Sequence, residues 1–272
     1  MRRHEPLCKR AFFLKPALLN LGCGSHFHPD WVNVDLIATA PSVRTHDLQK
    51  PLPFEAESFS AVYHSHVLEH LPRERALSFL KECHRVLQPK GVLRVAVPDL
   101  ERQATLYLEN LRGALAGDPG CQERYEWIVV ELIDQLVRQH SDGGEMFKYL
   151  CRDPIPALGF VIQRLGHELT SKLETIKGYH AGGLNAEYID EKRAASTPST
   201  IGKFRTSGEA HLWMYDRYSL ARLLASAGFK QIGVVSAQVS RILGFKKYHL
   251  DVLADGSVRK PDSLFMEARK GQ

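Results

Sequence analysis

The stretch KPALLNLGCGS (residues 15–25) decides the fold. Its apolar residues run from Ala17 to Leu21 and stop at Gly22 and Gly24. A short apolar run ending at glycines reads as a buried β-strand and its exit turn. The next hundred residues repeat the theme. WVNVDL (31–36), PSVRTHDL (41–48), FSAVYHS (59–65) and GVLRVAVPD (91–99) read as four more strands. RALSFLKECHRVL (75–87) is helical, with Leu77, Leu80, His84 and Leu87 on one face, Pro72 near its start and QPKG as its stop. Strands alternating with helical patterns indicate parallel β-α units in one sheet.

After Leu100 the period changes. Residues 100–176 read mainly as helices, with Ile128, Leu132 and Leu136 at four-residue spacing. Residues 178–208 are rich in Gly, Ser and Thr and read as a long loop. Loops longer than about 15 residues are usually functional or disordered. The α/β pattern resumes at YDRYSLARLLASAGF (215–229), where Asp216 caps a helix, Leu220, Leu223 and Leu224 line it, and Gly228 ends it. KQIGVVSA (230–237) and DSLFMEARK (262–270) supply two closing strands. The expected fold is a Rossmann-like, doubly wound, mostly parallel seven-stranded α/β sheet with a helical insertion after the fifth strand. The expected division is a basic tail (1–15), the first part of the core (16–100), the insertion (101–210) and the completion of the core (211–272).

Composition narrows the function. The chain has 272 residues, 44% of them hydrophobic, enough for one well-buried domain with an insertion. The net charge of +5 is modest, and five basic residues against one acidic sit in the first fifteen. The insertion is slightly acidic, so nucleic acid is not the expected partner. Five widely spaced cysteines without C-x-x-C argue against a disulfide framework or a zinc cluster. No apolar run reaches the roughly 18–20 residues of a membrane span. Lys15 and Pro16 interrupt the apolar N-terminal stretch, and cleavage there would destroy the first strand. The expected location is the cytoplasm.

The glycine turn sits at the carboxyl end of the first strand, where open α/β sheets bind ligands. Without Cβ atoms, Gly22 and Gly24 let a ligand approach the backbone. Asp35 ends the second strand and Asp47 the third. Carboxylates there can accept hydrogen bonds from ribose hydroxyls or an adenine amino group. The dinucleotide pattern G-x-G-x-x-G is broken by Phe27, and Asp35 follows Gly24 by eleven residues rather than about twenty. SHFHPD (25–30) is also too short for a full crossover helix. These residues suit a nucleoside ligand without a pyrophosphate.

Five segments then agree in order and spacing: LNLGCG, VNVDL, HDLQKPLPFEAESFSAVYHSHVLEHL, FLKECHRVLQPKGVLRVAVPDL and MYDRYSLARLLASAGF. Together they resemble class I S-adenosylmethionine-dependent methyltransferases of the type 11 group, closely over residues 16–101. The resemblance implies S-adenosyl-L-methionine as cofactor. It implies that Gly22, Cys23 and Gly24 hold the methionine part, Asp35 with Leu36 the ribose, and Asp47 with Leu48 the adenine. Asn20 stands where many relatives have an acidic residue and offers no charge to the cofactor's ammonium. His64 and Ser65 border the methionine end.

HSHVLEH (64–70) follows at the rim of the same crevice. It could be a metal site, a proton-transfer site or a histidine-rich turn. The H-x-H-x-D-H pattern of metallo-hydrolases would need Asp at Leu68 and His at Glu69, so no metal is expected. An alcohol acceptor must lose a proton on methylation, and histidine suits that task. His66 is the first candidate base and His70 the second. Otherwise the two fix the turn, with Glu69 favoured near a helix start.

Acceptor choice is expected in the insertion. DQLVRQHSDGGEM (134–146) presents Arg138 and His140, and GYHAGG presents His180, as acceptor-binding candidates. An ion pair at a helix exit is the plainer reading of Arg138. His211 and Trp213 are expected to pack where the insertion returns to the core. The expected activity is O-methylation of a small-molecule or glycan-linked acceptor. The rivals are a protein or RNA methyltransferase and a non-catalytic cofactor- and partner-binding protein.

Overall fold

The computed structural model describes residues 17–181, 193 and 196–272. The basic tail (1–15) lies outside the described residues. Seven strands form one sheet: β1 (Ala17–Leu21), β2 (Val32–Asp35), β3 (Val43–Thr45), β4 (Phe59–Ser65), β5 (Leu87–Pro98), β6 (Lys230–Val235) and β7 (Ser263–Arg269). Their order is β3-β2-β1-β4-β5-β7-β6. β1 to β5 pair in parallel, and β7 runs antiparallel to both β5 and β6. The chain winds outward from β1 to β3, then crosses back to β4. The order therefore reverses between β1 and β4, and a crevice opens beyond their carboxyl ends.

Helix α1 (Arg73–Val86) buries Ala76, Phe79, Leu80, Cys83 and Val86 against the sheet. The expected face of Leu77, Leu80, His84 and Leu87 is rotated by about one residue. The large ring of Phe79 and the thiol of Cys83 take the inward positions, and Leu77 is only partly buried. Burying a side chain of the size of Leu80 contributes about 1.5–3 kcal/mol. The helix is also not followed by a clear break. β5 begins at Leu87 and pairs with Phe59 before its register shifts.

Between β5 and β6 come α2 (Leu100–Leu115), α3 (Pro119–Val137), α4 (Gly144–Leu150), α5 (Leu158–Leu165), α6 (His167–Thr170), α7 (Leu173–Ala181), α8 (Pro198–Arg205) and α9 (Arg217–Ser226). Asp99 and Asp118 cap α2 and α3. Of the expected loop over 178–208, the start lies in α7, residues 182–192, 194 and 195 lie outside the described residues, and the end is helical. Thr197 and Thr200 form a capping box ahead of Pro198, and α8 follows. Asp216 caps α9 by accepting from the N–H groups of Tyr218 and Ser219, both at 2.8 Å, as the sequence suggests. Leu106, Trp127, Ile128, Tyr149, Leu150, Val161, Leu169 and Ile176 form an apolar cluster of their own within these helices.

The long connection 236–262 folds back over the sheet. Arg94 on β5, fully buried, anchors it. Its Nε donates to Asp251 Oδ2 at 2.6 Å and its Nη1 to Glu267 Oε1 at 2.9 Å. It also donates to the carbonyls of Ser236, Ala237 and Val239. A buried guanidinium needs such complete pairing, because its desolvation otherwise costs several kcal/mol. Among the described residues, no helix is long and apolar enough to cross a membrane.

Candidate active site

A cavity of about 730 Å³ lies between the carboxyl ends of β1, β4 and β5 and the helices that follow β5. That is within the roughly 300–1,000 Å³ of ligand pockets. Its floor is the glycine turn. Gly22 and Gly24 both adopt left-handed backbone, at φ +64° and +54°. A Cβ on Gly22 would stand 2.2 Å from Val67 Cγ2, so close packing requires this glycine. A Cβ on Gly24 would meet nothing within 4 Å. Gly24 lines the cavity, so a ligand can lie directly against its backbone. That open cradle fits the methionine end of S-adenosylmethionine.

Asp35 holds the turn. Its Oδ2 accepts from Gly24 N–H at 2.7 Å and its Oδ1 from Ile37 N–H at 3.3 Å. Each carboxylate oxygen keeps a second lone pair for another donor. Asn20 is buried and donates to Asn33 Oδ1 at 3.1 Å, and Asn33 in turn donates to the carbonyls of His28 and Trp31. Asp47 Oδ1 accepts from Gln49 N–H at 3.0 Å, and Leu48 packs at the edge of the core. Of the residues expected at the cofactor, Asn20, Gly22, Cys23, Gly24 and Ser65 line the cavity. Asp35, Leu36, Asp47 and Leu48 lie outside its lining.

His64 needs correction. Side chains alternate along β4. Tyr63 and Ser65 face the cavity, and His64 points to the opposite side of the sheet, with its ring 5.2 Å from that of Phe79. It is fully buried, and neither ring nitrogen has a hydrogen-bond partner among the described residues. Burial lowers its pKa to about 3.

His66 and His70 both line the cavity. His66 sits at φ +54°, strained for a residue with a Cβ. Its Nε2 pairs with Ser263 Oγ at 2.8 Å, and its Nδ1 faces Glu69 Oε1 at 3.2 Å. His70 Nδ1 lies 3.2 Å from the carbonyl of Ala210, and its ring meets His211 edge-on at 4.8 Å. Burial holds the pKa of His66 well below the usual imidazole value and that of His70 near 4. Glu69 is fully buried, and burial raises its carboxyl to about 8. His211 packs where the insertion returns to the core, as expected, and also lines the cavity, whereas Trp213 lies partly exposed with Arg73 stacked 4.1 Å from its ring.

Arg138 lines the cavity but is tied to Asp134 by a short ion pair and by Nε–H to Oδ2 at 3.1 Å. Asp134 Oδ1 also accepts from Glu145 N–H at 2.6 Å, so the pair pins the α3–α4 turn. His140 lies outside the lining and pairs with Ser196 Oγ at 3.1 Å. The side chain of His180 lies outside the described residues.

The sequence reading missed one wall. The 236–262 connection brings Arg259, Lys260 and Asp262 to the cavity. Arg259 donates to Ser65 Oγ at 3.1 Å and to the Leu250 carbonyl at 2.8 Å. Lys260 pairs with Glu168 at 2.9 Å. Burial, with Glu131 next, lifts the pKa of Asp262 to about 7. The signal available was length, since this connection far exceeds the usual few residues.

Residues 29–95 match the family described as a methyltransferase domain. The matched residues run from just before β2 into β5, and the glycine turn lies immediately before them. A comparison with curated proteins finds no match. Among solved structures the chain is similar to the CurJ carbon methyltransferase, at 11% identity and a TM-score of 0.39, over 94% of this chain and 49% of that one. It thus spans about half the length of that structure. It is also similar to a SAM-dependent methyltransferase from Archaeoglobus fulgidus (12% identity, 94% and 86% covered, TM-score 0.39). A third likeness is to a SAM-dependent methyltransferase from Thermotoga maritima (14% identity, 95% and 84% covered, TM-score 0.37).

Proposed function

We propose that the protein methylates a hydroxyl oxygen of a small or glycan-linked acceptor inside the 730 Å³ cavity. In this reading Gly22, Cys23 and Gly24 hold the methionine end of the cofactor, Asp35 with Leu36 the ribose, and Asp47 with Leu48 the adenine. Ser65 and Asn20 border the methionine end. When bound, the cofactor supplies an activated methyl group on a sulfonium. The chain's own task is to align the acceptor and take its proton.

The observation that carries the reading is the state of His66. Its Nδ1 lies 3.2 Å from the buried Glu69 carboxyl without an aligned hydrogen bond, and its Nε2 already meets a hydroxyl, that of Ser263, at 2.8 Å. Burial, and after it the Lys260 and Arg259 charges, keep the ring neutral, which leaves a lone pair for a proton but makes His66 a weak base. The Ser263 hydroxyl now on Nε2 can rotate away as an acceptor hydroxyl arrives. The far wall, with Arg138, Lys172 and Glu168, presents both charge signs, which suits a polar acceptor rich in hydroxyls. The four described cysteines are free thiols, in keeping with a cytoplasmic setting.

The test is labelled methyl transfer from S-adenosylmethionine to a panel of hydroxyl, amine and carbon acceptors. A labelled methyl ether is the expected product, and exclusive N- or C-methylation would end the oxygen reading. His66→Ala should slow turnover about 10²–10⁴-fold with cofactor affinity unchanged. Normal turnover would exclude His66 as the base.

A further inference from the structure

We propose that Glu69, His70 and His211 form a binding site for one divalent first-row transition-metal ion at the wall of the cavity. One ligand atom from each residue lies within 4.8 Å of the other two. Two imidazole nitrogens and one carboxylate oxygen are a donor set suited to zinc, cobalt, iron or manganese. Glu69 and His70 are neighbours in the short helical turn Leu68–His70, and His211 arrives from the far end of the insertion. Backbone bonds hold the two segments together. Leu212 N–H donates to the Glu69 carbonyl at 2.7 Å, and the Ala210 carbonyl meets His70 Nδ1.

Two further observations point to a cation. First, the carbonyl of Ala210 can only accept, so the proton of His70 stands on Nδ1 and the lone pair on Nε2. That lone pair faces Glu69 Oε1, itself an acceptor when ionised, at 4.0 Å. Metal-bound histidines nearly always spend their second nitrogen on such a carbonyl or carboxylate. Second, Glu69 is fully buried, and neither of its oxygens accepts an aligned hydrogen bond among the described residues. A buried carboxyl without such bonds either stays protonated or gives up its proton to bind a cation. His66 Nδ1 lies 3.2 Å from the same oxygen, Oε1, that faces His70.

Metal–nitrogen and metal–oxygen distances of about 2.0–2.2 Å require the three ligand atoms to draw in by roughly 1 Å each. His70 and His211 line the cavity, so the remaining coordination positions open toward the acceptor. An acceptor oxygen bound there would have its pKa lowered before His66 takes the proton. That consequence rests on the O-methylation reading. The metal site itself does not.

The untagged full chain, dialysed against a chelator, is titrated with Co²⁺ and with Zn²⁺ by calorimetry, and Co²⁺ is followed by visible absorption. The expected result is one ion per chain with ligand-field bands of imidazole coordination. Glu69→Gln and His211→Ala should each weaken Co²⁺ binding by more than about 100-fold. His84→Ala, on α1 beside Phe229, should leave it unchanged. Circular dichroism melts establish that each variant is folded. Absence of Co²⁺ and Zn²⁺ uptake by the parent chain would overturn the inference. So would parental Co²⁺ affinity in a folded His211→Ala or Glu69→Gln chain. No methyl transfer is measured, so this failure is distinct from failure of the oxygen-acceptor reading.

Discussion

Adding one methyl group at Gly22 and, separately, at Gly24 should separate packing from ligand contact. Both residues have positive φ, and an alanine in that region costs about 1–2 kcal/mol. At Gly22 the new Cβ would also lie 2.2 Å from Val67 Cγ2. Val67 is buried, so it cannot swing into solvent. Overpacking of this kind adds about 1–3 kcal/mol. Gly22→Ala should therefore lose about 2–5 kcal/mol, a fall in Tm of roughly 4–20 °C for a chain of this size. Gly24→Ala meets no protein atom within 4 Å and should lose only the backbone part, roughly 2–8 °C. Its methyl group enters the cavity, so S-adenosylmethionine affinity should drop at least about tenfold, or 1.4 kcal/mol. Calorimetric melting and isothermal titration measure both quantities. Parental cofactor affinity in Gly24→Ala would refute the placement of the cofactor on this turn. Equal melting of the two variants would refute the packing argument.

Asp35→Ala removes the acceptor for Gly24 N–H and the expected ribose contact. It should weaken S-adenosylmethionine at least about tenfold by titration, and unchanged affinity would remove the ribose assignment. His64 predicts acid sensitivity. Its folded pKa, near 3, lies below the unfolded value of 6.5, so the unfolded chain binds the proton first. Stability is then full above pH 6.5 and falls by about 1.4 kcal/mol per pH unit below it. His66, His70 and His211 act in the same sense, so His64→Leu should lessen, by about 1.4 kcal/mol per pH unit, the loss of stability measured by urea between pH 6 and pH 5, and an unchanged slope would exclude this histidine as a contributor. Arg94→Met leaves Asp251 and Glu267 buried without their partner, so chemical denaturation should show a loss of about 3–5 kcal/mol. A loss below about 1 kcal/mol would mean that the anchor is dispensable.

Local signals carried the sheet well. The apolar run before Gly22 and the Asp216 cap each depend on neighbours in sequence, and each element formed where they point. The face of α1 was less legible, because Leu77 and Leu80 drew attention from the bulkier Phe79. The loop reading of 178–208 weighted Gly, Ser and Thr over the Thr197–Pro198 helix start. Least legible was the site's composition. His70 and His211 meet only because the whole insertion folds back between them. A spacing test confined to residues 64–70 therefore could not see that pair. Arg259 and Asp262 reach the cavity because Arg94 binds carbonyls far along the chain, and no periodicity records that.

The separate apolar cluster of the insertion has an evolutionary consequence. Trp127, Tyr149, Val161 and Leu169 pack among themselves, while Leu19, Leu80 and Leu93 belong to the core around the sheet. A substitution in the first group perturbs the far wall of the cavity and leaves the glycine turn in register. The two halves can therefore drift at different rates. A lineage can exchange what the far wall admits while inheriting the floor intact, and a chimera joined at residues 100 and 210 would follow the same seam.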